Sequence, residues 1–367
     1  MLKEFTSLTP PPDRSEDALV SLGWNDTVSD LYEPFDKPDR HPGRVVRVDR
    51  GSSVIATRTG TIRAPMARDA APPTSPATGD WVVLRPDPDH GNVIEAILPR
   101  RSAITRLDPS APDARPDEQV LAANIDRVFI VHGLDRAPQP ERIERSLVVA
   151  WESGAQPTLV LTKSDLLNAG EIDEIAFDLE QLAPDVDVIP LSNTTGAGIE
   201  DILSLIGRGT TIALFGASGT GKSSLVNRLV GDDLQLTGDT RRGDGKGRHT
   251  TTSRDLIPLK SGAVLIDTPG LREIGLWDSH EGLEAAFNDV VDLTRSCKFR
   301  DCHHLSEPGC AVQAAIEDGR LAERRLESFR TLEQELATRE QQAARSKGGR
   351  ASRPAPSAKD DLLDENW

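Results

Sequence analysis

Cysteine is scarce in this chain of 367 residues: there are three, an odd number and too few for a disulfide scaffold. Long apolar runs are absent too. Nothing approaches the ~20 residues that a membrane span needs, and the start, MLKEFTSLTPPPDRSED, has neither a basic cap nor an apolar stretch for secretion. The chain therefore reads as cytoplasmic, with no membrane partner. Basic charge is in deficit, 43 Lys plus Arg against 59 Asp plus Glu for a formal net charge of -16. That excludes a globally basic nucleic-acid coat but leaves room for local basic patches. No internal repeat is present. What the chain does have, 37% hydrophobic and 28% charged residues, is enough for two or three domains of ~100 to 200 residues each. Nothing in it points beyond a monomer.

Composition divides the chain. Residues 1–42 are rich in Pro and Asp with weak periodicity and read as an N-terminal extension, partly disordered, with the LGW around Trp24 placed to dock on the body. Residues 43–108 hold short β-rich runs, RVVRV, SVIATRTGTI, DWVVLRP and NVIEAIL, punctuated by Gly and by APPTSPATG, the pattern of a small barrel. From Arg40 to Arg68 seven arginines stand against one acid, Asp49, reversing the global sign. That reversal predicts RNA phosphate contact through Arg44, Arg47, Arg50, Arg58 and Arg63. After an acidic link, residues 109–276 alternate apolar β-branched runs (IDRVFIVHGLD, QPTLVLTKSD, DVDVIPLS, TTIALFG, GAVLIDTPG) with helical segments. In ERIERSLVVAWESG, Ile143, Leu147 and Trp151 recur at helical spacing. This alternation predicts an α/β domain with a mostly parallel sheet and a ligand at the carboxyl ends of its strands. Residues 277–345 turn helical around the cysteines, and 346–367 read as a disordered tail.

The chemistry sits in a few short strings. Gly216, Ala217, Ser218, Gly219, Thr220, Gly221, Lys222, Ser223 and Ser224 form a GxxxxGKS segment between the strand TTIALF and the amphipathic SSLVNRLV. In that context the glycines let backbone N–H groups converge on phosphates, Lys222 reaches the β and γ phosphates, and the Ser223 hydroxyl meets magnesium. A second strand ends at Asp267 in DTPG, where a carboxylate can hold the magnesium through water and the Gly270 N–H can meet the γ phosphate. Between them, GDGKGRHTTTSRD offers a threonine hydroxyl to the metal, Thr251 in preference to Thr250. Guanine would be read by Thr162, Lys163, Ser164 and Asp165 in the TKxD form: the Asp165 carboxylate accepts from N1 and N2, a donor pair adenine lacks, while the Lys163 stem covers the base. Ser192 and Asn193 occupy the place of the Ser-Ala pair that supports the base in GTPases. Leu271 stands where Ras-like enzymes carry the glutamine that orients the attacking water, so His249 is the candidate in cis for that task.

The order of these strings matters as much as their content. TKSD and the Ser-Asn pair precede the P-loop, whereas an ordinary GTPase has them after it. The domain is therefore circularly permuted, and its second switch leads straight into the cysteine region. There CKFRDCHHLSEPGC gives Cys297, Cys302, His304 and Cys310 in a CxxxxCxHxxxxxC spacing, a closed and hence structural zinc site, with His303 as the competing ligand.

The basic barrel, the permuted order of GASGTGKSS, GRHTTT and DTPG, and the zinc spacing together resemble the ribosome small-subunit-dependent GTPase A family, RsgA. The likeness covers roughly residues 43–335, and the strings PATGDWV, AANIDRVFIV and LREIGLW agree with it. It implies an OB-fold barrel, a circularly permuted P-loop GTPase domain and a C-terminal helical zinc-binding domain. It also implies a late assembly factor of the small ribosomal subunit that binds rRNA and whose GTP hydrolysis that subunit stimulates. Carried over, nucleotide contacts fall on Thr162 to Asp165 and Gly216 to Ser224, zinc ligands on Cys297, Cys302, His304 and Cys310, and the switch histidine on His249. Asn193 departs from the family pattern, as does the acidic balance. Eight acids and no base between Asp165 and Asp187 would put much of that negative charge on one face, away from the barrel. Two rival classes stay open: a nucleotide-gated RNA-binding scaffold with negligible hydrolysis, and an unrelated P-loop phosphotransferase with ATP preference.

Overall fold

The computed structural model describes residues 18–73, 75–107, 118–231, 255–267 and 280–348. Expectations for the first 17 residues, the acidic link, both switch segments and the last 19 residues lie outside that range.

Alternating burial builds the first domain. Strands β1 (His41–Asp49), β2 (Ser52–Thr57), β3 (Gly60–Ala64), β4 (Trp81–Asp87) and β5 (Gly91–Ile97) form an antiparallel sheet of order β3-β2-β1-β4-β5. The run SVIATRTGTI is two strands, because the Thr57 hydroxyl donates to the Gly60 carbonyl at 2.7 Å across a turn. Closure comes from the segment after β3: Ile94 donates to the Pro65 carbonyl and Ala67 to that of Ile94, both at 2.8 Å. The inward faces bury Val45, Ile55, Ala64, Val82, Leu84 and Ile94, the filled interior of an OB-type barrel.

The N-terminal extension is described from residue 18. It folds onto the barrel from there, with helix α1 (Asp26–Tyr32) capped by the Asn25 side chain, which accepts from the Val28 N–H at 3.0 Å. Leu19, Val28 and Tyr32 pack on Trp81, Val83 and Leu98. Trp24 stands edge-on to Trp81 and Tyr32, with ring centroids 5.3 and 5.8 Å away. A seven-residue helix shows too few turns for its periodicity to be read. A hairpin of β6 (Ala103–Leu107) and β7 (Glu118–Ala123) then crosses the expected boundary at 108 and joins barrel to α/β domain.

The second domain follows the expected alternation: β8 (Arg127–Gly133), α2 (Pro140–Glu152), β9 (Gln156–Thr162), α3 (Ala169–Leu182), β10 (Asp187–Pro190), α4 (Ile199–Leu205), β11 (Thr211–Phe215), α5 (Lys222–Val230), β12 (Asp255–Pro258) and β13 (Val264–Asp267). The sheet runs β10-β9-β8-β11-β13-β12, parallel except for β12, which the sequence did not reveal. Six strands at ~4.8 Å spacing separate the two edges by ~24 Å. Acidic α3, with an Asn168–Glu171 capping box, packs beside β10 at one edge. The barrel meets the other edge, where β1 contacts β12 and Arg47 approaches Asp255 at 3.9 Å. Negative charge and barrel are thus held on opposite sides.

The third unit contains α6 (His280–Ala286), α7 (Asn288–Arg295), α8 (Ala311–Glu317) and α9 (Glu323–Gly348), the last running beyond the expected limit of 345. Gly282 lets α6 close on α2: a Cβ there would lie 2.4 Å from the Val148 carbonyl oxygen, and its N–H donates to Glu152 at 2.9 Å. No helix among the described residues is long and apolar enough to cross a membrane.

Candidate nucleotide site and metal centre

Parallel register carries the ends of β8, β9, β10, β11 and β13 to one edge of the sheet. The P-loop leaves β11 there. Gly216 has φ +141°, and a Cβ on it would lie 2.4 Å from the Val131 carbonyl oxygen, so only glycine fits. Gly221 caps α5 at φ +89°, placing Ser223 and Ser224 exposed in the first helical turn. The Lys222 ammonium donates to the Gly216 and Ala217 carbonyls, each at 2.5 Å, so it lies within the curl of the loop. That arrangement presents amide donors, a helix N-terminus and an ammonium to one anionic group.

The TKSD residues share the work of building this edge. Thr162 is fully buried, and its hydroxyl donates to the Thr220 carbonyl at 2.5 Å, tying the end of β9 to the P-loop. Ser164 is buried as well, its N–H on the Leu191 carbonyl at 3.1 Å. Ser192 is buried and donates to Asp165 Oδ1 at 2.5 Å, while its own oxygen accepts from the Thr194 and Thr195 N–H groups at 3.1 Å. The side chains of Thr162 and Ser192 are therefore turned into the frame of these loops and away from solvent. Asp165 and half-buried Lys163 remain toward solvent. The Lys163 backbone adopts φ +63°, and its ammonium pairs with Asp135 at 2.9 Å.

Asn193 turns its amide toward the P-loop, donating to the Gly221 carbonyl at 3.3 Å. Arg228 of α5 grips the Asn193 carbonyl at 2.6 Å through Nη2, binding the loop after β10 to the helix after β11. Sequence reasoning passed over Asp135 and Arg228. The first had a signal, an acid two residues after a strand that ends in glycine; the second resembled any solvated helix arginine. Asp267 ends β13 at the same edge. Its side chain, with Gly270, His249 and Thr251, lies outside the described residues.

The metal cluster is compact. Cys297, Cys302, His304 and Cys310 place their ligand atoms within 4.8 Å of one another. Cys297 and Cys310 sulfurs are 3.9 Å apart, and each is 3.5 Å from His304 Nδ1. Tetrahedral zinc, with bonds of ~2.3 Å to sulfur and ~2.0 Å to nitrogen, spaces sulfurs by ~3.8 Å and sulfur from nitrogen by ~3.5 Å. The donor set and its spacing fit that ion. His304, not His303, turns inward: its φ is +59°, and Gln313 and Arg330 hold its carbonyl at 2.5 and 2.8 Å. Burial and Arg330 lower the His304 pKa, favouring the neutral form a ligand needs. Glu307 organises the knuckle by accepting from the N–H groups of His303, Leu305 and Ser306 at 2.8–3.1 Å. Its own backbone N–H joins these donors in pulling the carboxyl down to about 2.

The barrel arginines divide. Arg50, Arg58 and Arg63 are exposed, Arg63 on Asp49 at 2.6 Å and Arg58 over the Trp24 ring at 5.7 Å. Arg47 is shared between Asp49 and Asp255. Arg44 is a correction to the predicted RNA contacts: it is 1% exposed and cannot reach a phosphate. Its guanidinium donates to the Leu22 carbonyl, to those of Gly79 and Asn124 at 3.3 Å and to the Thr211 hydroxyl at 2.8 Å. It also lies over Trp81 at 5.0 Å. Burial lowers its pKa to about 10, which still leaves it charged at neutral pH. An arginine on a strand was thus recruited to fasten extension, barrel and P-loop strand together.

The RsgA GTPase family model matches residues 97–277. A small ribosomal subunit biogenesis GTPase RsgA of Streptomyces coelicolor is 45% identical over 323 residues, covering 87% of this chain and 86% of the relative. One from Methanosarcina acetivorans is 44% identical over 269 residues, covering 73% and 72%. Among solved structures, YjeQ from Thermotoga maritima aligns with a TM-score of 0.62 at 27% identity, covering 81% of this chain and 99% of that one. YloQ, a circularly permuted GTPase, aligns at 0.60 with 24% identity over 82% and 96%, a likeness of fold. Permuted order, barrel and Cys3His cluster agree with these matches, and the chain belongs to the RsgA GTPase family.

Proposed function

We propose that this protein hydrolyses GTP to GDP and phosphate as a maturation factor of the small ribosomal subunit, binding its rRNA through the barrel. One observation carries the reading. The P-loop, the TKSD residues and the Ser-Asn loop converge on one sheet edge despite their permuted order, cross-linked by the Thr162–Thr220, Asn193–Gly221 and Arg228–Asn193 hydrogen bonds. The names of the relatives supply the ribosomal partner. In this reading Asp165, oriented by Ser192, selects guanine. Lys222 and the P-loop amides stabilise the charge that spreads over the transferred phosphoryl group. Ser223, Thr251 and Asp267 would hold magnesium, which supplies neutralisation of the phosphate oxygens. His249 orients the attacking water when the subunit is bound. The Cys3His cluster holds one structural zinc.

The test is GTP turnover by the purified chain with and without small subunits, with large subunits and ATP as controls. Strong stimulation specific to small subunits and GTP is expected, and His249→Ala should keep GTP binding while losing most of the stimulated rate. GTP binding with no response to subunits would leave a nucleotide-gated scaffold. ATP preference with a transferred phosphate would leave a phosphotransferase.

A further inference from the structure

We propose that Asp135 is a positioning residue for guanine-nucleotide binding, its carboxylate holding the Lys163 ammonium so that the lysine stem lies ready to cover the base. The proposal rests on the reading of TKSD as the base-binding segment. It starts from register. Strands β8 and β9 are adjacent and parallel, and their last paired residues are Gly133 and Thr162. Just beyond, the Leu134 N–H donates to the Thr162 carbonyl at 2.9 Å, so the two chains leave the sheet side by side. A turn follows, with the Arg136 N–H 3.4 Å from the Gly133 carbonyl oxygen, and it carries Asp135 round toward β9.

Lys163 arrives from the other side with its backbone already set. Its φ of +63° is a conformation that non-glycine residues adopt at a cost. The flanking hydrogen bonds from Ser164 to the Leu191 carbonyl and from Leu166 to the Lys163 carbonyl, both 3.1 Å, hold it there. A lysine stem still has four rotatable bonds, and ordering them upon binding subtracts from affinity. The 2.9 Å ion pair to Asp135 orders them beforehand, with both side chains about one-third exposed. The Lys163 hydrogen bond holds the Asp135 carboxyl below its usual range, so the acid faces the lysine as a carboxylate at neutral pH.

Gly133 makes room for this pair. A Cβ on Gly133 would fall 2.6 Å from Asp135 Oδ1 and 3.4 Å from Cε and Nζ of Lys163. The glycine, the acid and the lysine are therefore one device built across two strand ends. It acts on the stem that lies over the base and not on the carboxylate that reads it.

The experiment titrates the full chain with fluorescently labelled GTP and GDP, with ATP as competitor, alongside turnover at saturating GTP. Asp135→Asn is expected to weaken GTP and GDP alike by about five-fold, the upper end for a partly exposed charged pair. The GTP-over-ATP preference and the saturated rate should not change. Asp135→Glu should restore part of the affinity, and Gly133→Ala should reproduce the loss by displacing the pair. Combining Asp135→Asn with Lys163→Ala should cost no more than Lys163→Ala alone. A general packing defect would instead lower the saturated rate through loss of active protein. If the unaltered chain prefers GTP while Asp135→Asn binds within two-fold of it, or if the two substitutions simply add, the inference falls alone. If the unaltered chain takes ATP as readily as GTP, the base-binding reading falls and takes this inference with it.

Discussion

Replacing Arg325 with methionine should unfasten the C-terminal unit, and the size of the effect can be worked from its surroundings. Glu144 of α2 is fully buried, with Oε1 3.3 Å from Arg325 and 3.6 Å from Arg324. Arg325, 3% exposed, also donates to Asp289 at 2.9 Å and to the Ala286 carbonyl at 2.6 Å, and lies over Phe287 at 4.0 Å. Methionine refills much of the volume but leaves Glu144 a buried carboxylate whose one remaining ion pair is the longer Arg324 contact, beside the Ser328 hydrogen bond. Breaking a buried pair in this way costs about 3–5 kcal/mol. Loss of the ring contact adds roughly 1 kcal/mol. Because Arg324 and the Ser328 hydrogen bond remain, the lower end of the two together, about 4 kcal/mol, is expected at pH 7.5 in urea unfolding followed by tryptophan fluorescence.

The pH dependence sharpens this test. Burial already raises the Glu144 carboxyl above its usual value of 4.5, against the pull of Ser328, Arg324 and Arg325. Without Arg325 it rises further. Between the unfolded value and that higher one, the native chain binds the proton and the unfolded chain does not, so stability increases as pH falls. The deficit of Arg325→Met should shrink at pH 5.5, and the double variant Glu144→Gln with Arg325→Met should regain at least half of it at pH 7.5. A loss below 1 kcal/mol, a deficit that grows in acid, or a double variant no better than the single one would refute the argument.

Two further outcomes follow from the metal cluster and from Arg44. Chelation should release one zinc per chain, expose three reactive thiols to a thiol reagent and lower the helix content of the C-terminal unit, with labelled-GTP affinity unchanged; elemental analysis and circular dichroism check this. Arg44→Met should cost about 2–3 kcal/mol in thermal or urea unfolding, because the carbonyls of Leu22 and Asn124 lose the donor that Arg44 supplies and Gly79 loses one of its two. Exposed Arg50→Ala should instead leave stability in place and weaken rRNA binding with a shallower salt dependence.

Much of the site was legible because its chemistry is carried by short contiguous strings. GASGTGKSS is a strand–loop–helix signature whose glycines and lysine work within nine residues, and the Cys3His cluster spans 14. The permuted order could be read off the numbering alone. Strand β12 escaped notice because four residues at a sheet edge show no periodicity. Part of the expected extension was missed for a similar reason: α1 is held by Trp81 and Leu98, far along the chain. Glu144 sat inside an otherwise apolar helix face, where a charged residue is ordinarily assigned to solvent.

The sequence by itself determined the fold class, the permutation, the P-loop and the four residues of the Cys3His cluster, since local spacing is enough to place each group beside its partners. Only the tertiary structure decided which members of those strings face solvent and which hold the frame. Thr162 and Ser192 share their motifs with Asp165, yet burial turns their hydroxyls onto Thr220 and Asp165. Arg44 and Arg50 are both barrel arginines on one run of chain, but one is enclosed by four distant segments and the other is exposed. Whether a polar group meets water, a ligand or another buried group depends on what packs over it, and those contacts join residues as far apart as Arg44 and Thr211.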